Sequence, residues 1–144
     1  MDCNRDKMFR KLFLVTLLVF ATFASATAQK KEMAQAKAAI KAGKAVEAEA
    51  SMRTLLANPD NRGNEKIWLV LFDAVKKQYE DVNEQMYLKQ STDTAKLFDA
   101  AYRMFGVLEG LDSVDAQPNE NGRVQLKYRR KNAEYLDAYR KNLY

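Results

Sequence analysis

The sequence predicts an all-α domain of antiparallel helical hairpins behind a cleavable N-terminal leader. Three observations predict it. Apolar side chains recur at helical spacing in successive blocks, only two prolines and five glycines punctuate 144 residues, and a basic then apolar opening ends on small side chains.

The opening comes first. Arg5, Lys7, Arg10 and Lys11 precede an apolar run from Leu12 to Phe23, which closes on Ala24-Ser25-Ala26-Thr27-Ala28. That order is the one the export machinery reads, and cleavage is expected before Gln29. Met8 serves as well as Met1 for a start, because Phe9-Arg10-Lys11 alone supplies a basic entry. A spanning helix needs about 20 apolar residues, more than this run holds. Cys3 lies ahead of the apolar run and not behind it, so attachment of a lipid at the cleavage site is not expected. Residues 1–28 therefore read as a signal peptide and 29–144 as an exported, periplasmic or extracellular, helical domain. The exported part carries 20 basic and 17 acidic residues, with no cysteine and no histidine.

Five helical segments follow. Glu32 to Ala42 places Met33, Ala36, Ala39 and Ile40 on one face and stops at Gly43. Ala45 to Ala57 carries the stripe Ala45, Ala48, Met52, Leu55 and Leu56, and Asn58-Pro59-Asp60 ends it. From Glu65 to about Gln90 runs one long helical pattern, with apolar positions at 67, 68, 71, 72, 75, 79, 82 and 86; the alternative is a break near Gln78-Tyr79-Glu80 that divides it into two shorter antiparallel helices. Ser91-Thr92-Asp93 offers capping oxygens to a helix from Thr94 to about Leu111, in which Gly106 costs about 1 kcal/mol unless a neighbour packs closely on it. A polar loop over 112–122 precedes a last helix from Arg123, with Val124, Tyr128, Tyr135, Leu136, Tyr139 and Leu143 on its apolar side.

A repeat is legible at an offset of about 34 residues. Ala45 falls on Tyr79, Ala48 on Val82 and Met52 on Met86. The stretch from Gly43 through Ala48 to Met52 resembles the tetratricopeptide-repeat motif, with Gly43 at the hairpin turn and Ala48 at the small-residue position. Trp68 lies two residues from the tryptophan position of that family, and Val82 is larger than the usual alanine. The resemblance covers about residues 30–90. It implies a right-handed stack of hairpins, or short α-solenoid, which binds a protein or peptide on the concave face made by the first helix of each hairpin. In that register Gln35, Lys37, Lys41, Trp68 and Lys76 become candidate partner-contacting residues. The other architecture is a plain antiparallel bundle whose helices share a spacing. The pattern runs to Tyr144 without a closing turn, which fits either the N-terminal part of a longer array or a last helix that acts as a cap.

Composition closes several kinds of chemistry. With no histidine and no cysteine in 29–144, Ser-His-Asp and Cys-His catalysis and zinc ligation have no residues to work with. Asp112 and Asp115 flank Ser113, and Asp60 lies near Glu65, but neither set has the spacing of a calcium loop. No enzyme activity, cofactor or metal is expected. The second functional expectation is an anionic envelope lipid or polysaccharide held by the last helix. Arg123, Lys127, Arg129, Arg130, Lys131, Arg140 and Lys141 stand against Glu134 and Asp137 there, with Tyr128 and Tyr135 interleaved. The same mix suits nucleic acid, a partner that an exported protein rarely meets.

Overall fold

Helix-forming side chains and well-made stops fold the chain, in a computed structural model, into four consecutive antiparallel α-helices. The structure describes residues 27–89, 93–118 and 120–124. Helix α1 covers 27–41, α2 Ala45–Ala57, α3 Glu65–Tyr87 and α4 Thr94–Asp115. Among the described residues the extended pairing is confined to one isolated bridge, Pro118 to Val124.

Each turn satisfies the backbone groups that a helix end leaves open. After α1, Gly43 takes a φ of +78°, which costs glycine no Cβ clash. Its amide donates to the Ile40 carbonyl at 3.1 Å, and the Lys44 amide reaches back to Ala39 at 2.8 Å. This is the Schellman arrangement. Between α2 and α3 the chain makes a single 3₁₀ turn, Pro59–Asn61. Asn61 is buried, and its side-chain amide donates to the Leu55 carbonyl at 2.8 Å while its Oδ1 accepts from Gln29 of α1. One asparagine thus fastens the start of α1 to the end of α2. Asn64 Oδ1 then caps α3 through the Lys66 amide, and Asp93 Oδ1 caps α4 through the Lys96 amide.

The core lies where the four stripes meet. Met52 of α2, Ile67 and Val75 of α3, and Met104 of α4 have no measurable exposure. Ala36 of α1 is buried, and Met33, Ala39 and Ile40 pack beside it. At the far end, Trp68 lies against α4 so closely that a Cβ on Gly110 would fall 2.2 Å from its ring. The indole N–H donates to the Arg62 carbonyl at 2.8 Å. Trp68 therefore joins the α2–α3 turn to α4, and only a glycine at 110 leaves room for it. Gly106, by contrast, has open space where a side chain would stand. The close neighbour that the sequence reading sought at Gly106 is found one turn later.

One alternative is decided and two boundaries differ from expectation. Helix α3 runs through Gln78-Tyr79-Glu80 without a break. No glycine or proline interrupts it there, and burying Tyr79 to 1% exposure holds that turn in the core. The 79–90 segment that the 34-residue register sets against α2 is thus the second half of α3, and the partner of α3 in the second hairpin is α4. Helix α4 extends to Asp115, so Asp112 and Asp115 sit in its last turn and not in a loop. Helix α1 already includes residues 27–31, ahead of the expected start at Glu32.

Candidate functional site

The apolar stripe of α2 contains one residue of the wrong chemistry. Glu49 stands four residues after Ala45 and three before Met52, so the helix turns it inward. It is 6% exposed. A carboxylate there needs charged or hydrogen-bonding partners, and three helices supply them. Arg53, one turn on in α2, donates to Oε1 through Nε and Nη2, each at 2.8 Å. Gln78 of α3 donates its Nε2 to Oε2 at 2.7 Å. Arg103 of α4 donates Nη1 to the same Oε2 and to Gln78 Oε1, the latter at 3.2 Å, and its Nε to Asp99 Oδ2 at 2.8 Å. One buried acid thus ties α2, α3 and α4 together, and every bond except the two from Arg53 crosses or supports a helix interface.

Above this cluster opens a groove of about 540 Å³. Its floor includes Gln78 and Arg103. Val46 of α2, Val82 of α3, and Ala95 and Ala100 of α4 make the apolar walls, and Gly43 and Ala45 of the first hairpin turn form one end. The small side chains at these positions are what keep the space open. Asp81 on α3 and Asp93, Lys96 and Asp99 on α4 supply the charge.

The charges are held in place locally. Lys77 Nζ bonds Asp81 Oδ1 at 2.5 Å, and that hydrogen bond raises the lysine above its ordinary pKa. The Lys96 amide on Asp93 holds that carboxyl below its usual range. Lys96 Nζ approaches the other Asp93 oxygen at 3.3 Å. Burial pushes the Tyr79 phenol, in the core, above its ordinary value.

The residues singled out from sequence lie elsewhere. Gln35, Lys37 and Lys41 are exposed on α1. Lys76 is half-buried on α3 and pairs with Glu80 at 3.5 Å. Trp68 belongs to the interior as much as to the surface, because its ring covers Gly110. These five do not line the groove. Of the basic set, Arg123 is exposed and Val124 beside it forms the bridge to Pro118, so the described start of that segment is not helical. Lys127, Tyr128, Arg129, Arg130, Lys131, Tyr135, Arg140 and Lys141 lie outside the described residues, as do the leader residues 1–26 and the capping candidates Ser91 and Thr92. Asp115 is buried at the end of α4, and Asp60 is exposed in the turn. Among the described residues no cluster of three metal-binding side chains occurs, and no helix is long and apolar enough to cross a membrane.

Sequence reasoning passed over Glu49, Gln78 and Arg103. The clearest signal was Glu49, a charged residue at a position where the apolar stripe of α2 requires an oily one, with Gln78 beside the stripe of α3. The spacing of Glu49 to Arg53 and of Asp99 to Arg103, four residues each with the acid first, was a second sign. The chain matches no family model, and comparison with curated proteins and with solved structures gives no match.

Proposed function

We propose that this protein is an exported, non-catalytic helical scaffold that holds a segment of a protein or peptide partner in the groove between α2, α3 and α4. The groove carries the reading. It is open, walled by short apolar side chains, and set on a floor that Glu49, Gln78 and Arg103 hold rigid. A preformed concavity of this size with a few fixed polar groups is what small-ligand and peptide sites share. A rigid floor also lowers the ordering cost of binding.

The leader reading of residues 1–28 puts such a partner in the periplasm or outside the cell. The hairpin made by α1 and α2 around Gly43 supports a kinship in architecture with tetratricopeptide-like stacks. The second hairpin, α3 with α4, is far longer than a 34-residue unit allows, so the stack is irregular on this reading. The exposed Gln35, Lys37 and Lys41 then flank the scaffold without forming its site.

Panning a randomised displayed-peptide library on the purified protein tests this. Val46 is 67% exposed and Ala95 is exposed, so Val46→Trp and Ala95→Trp fill the groove without disturbing the core. Enriched peptides are expected to lose binding to both variants. Enrichment that ignores both substitutions, or no enrichment, overturns the groove as the site. The second reading, an anionic envelope surface bound through 123–144, rests on charge alone. It requires retention on anionic vesicles that vanishes when Arg129, Arg130 and Lys131 are reversed to Glu.

A further inference from the structure

We infer that the groove is a socket for one basic side chain, a Lys or Arg carried by a partner segment that is otherwise small and apolar. This rests on the groove reading above and names the chemistry of what enters it.

The accounting of charge in the groove supports this. Its lining holds three acids, Asp81, Asp93 and Asp99, against two cations, Lys96 and Arg103; Arg103 is shared among Glu49, Gln78 and Asp99, and Lys96 pairs with Asp93. Two of its acids are only half used. Asp81 on α3 accepts from Lys77 through Oδ1, and Asp99 on α4 accepts from Arg103 through Oδ2. The other oxygen of each has no hydrogen bond among the described residues. Two spare carboxylate oxygens therefore stand on two helices that wall one groove.

Val46, Val82, Ala95 and Ala100 line the same groove. This combination suits a side chain with an oily stem and a cationic head, which buries its methylenes on apolar surface and keeps its charge among oxygens. Arginine matches best, since its planar fork can donate two parallel hydrogen bonds to one carboxylate. An acidic segment meets unshared carboxylate oxygens in a lining with more acids than cations. A wholly apolar segment leaves those oxygens desolvated.

The test titrates three labelled pentapeptides into the purified protein: one arginine between alanine pairs, and its lysine and glutamate counterparts. The arginine and lysine peptides are expected to bind, the arginine one more tightly, and the glutamate peptide not to bind. Added salt should weaken the two complexes. Asp81→Asn and Asp99→Asn should each weaken arginine binding about tenfold, the scale of one charge-assisted hydrogen bond. Asp81 lies outside the Glu49 cluster, so its variant separates loss of the socket from loosening of the floor, and an unchanged thermal melt confirms that it folds. Absence of arginine-peptide binding, equal binding of the glutamate peptide, or indifference to both substitutions overturns the socket. Peptide binding that Val46→Trp abolishes while the asparagine variants and salt leave it unaltered overturns the socket and keeps the groove. Binding that ignores Val46→Trp overturns both.

Discussion

Replacing Glu49 by alanine is the perturbation most informative about how the helices hold together. Glu49 is 6% exposed and accepts from Arg53, Gln78 and Arg103. Removing one partner of a buried pair costs about 3–5 kcal/mol when the orphaned charge stays buried. The arginine side chains here are 48% exposed at Arg53 and 29% at Arg103, so each recovers part of its hydration. That lowers the expected loss to about 2–4 kcal/mol, a large share of the ~5–15 kcal/mol typical of a folded protein. Arg53→Ala removes only the exposed, same-helix arm and should cost about 0.5–1 kcal/mol. Glu49→Gln should fall between them, because an amide oxygen can still accept but carries no charge. Urea unfolding followed by far-ultraviolet circular dichroism reads all three through the midpoint at constant slope. A Glu49→Ala loss no larger than that of Arg53→Ala would refute the cross-helix role. Exchanging Glu49 and Arg103 together for methionines should recover much of the loss, since the charges left without these partners, Arg53 and Asp99, are exposed to water and no buried charge is orphaned.

Three further outcomes follow from the same geometry. Gly110→Ala forces Trp68 out of place and should destabilise by about 1–3 kcal/mol with a shift in tryptophan fluorescence, whereas Gly106→Ala meets open space and should stabilise by up to about 1 kcal/mol; equal effects would contradict the helix contact. Burial raises the Tyr79 pKa, so the neutral phenol's contribution is complete below about pH 10 and is lost as pH rises through the higher folded value. Tyr79→Phe should therefore flatten the alkaline fall in melting temperature. Asp93 is shifted the other way by the Lys96 amide, so its capping contribution is complete above the ordinary carboxylate range and is lost as pH falls through its lower folded value. Asp93→Ala should lower stability at neutral pH and leave it nearly unchanged in strong acid.

Local signals made much of this fold legible. Gly43, the Asn58-Pro59 stop and Asp93 mark helix ends in any context, because positive φ, a missing amide and a short acceptor act over three or four residues. Helix α2 was delimited from them at Ala45 and Ala57, as observed. What depends on distant partners was not legible. The unbroken path of α3 through Tyr79 is decided by burial against other helices, and Gly110 is needed only because Trp68, 42 positions earlier in the chain, lies on it. The site escaped for a related reason. Lysines on exposed faces look available in a sequence, while Glu49, Gln78 and Arg103 resemble stray polar residues until three helices bring them within hydrogen-bond reach.

The groove exists only if α3 is one continuous helix that presents Gln78 to Glu49. Backbone chemical shifts and amide exchange at Gln78, Tyr79 and Glu80 test this most directly. Helical carbon shifts without interruption from Ile67 to Val82, with exchange at Tyr79 as slow as at Val75, are the expected result. Non-helical shifts and fast exchange at those three positions would divide α3 in two, dissolve the floor and contradict the account.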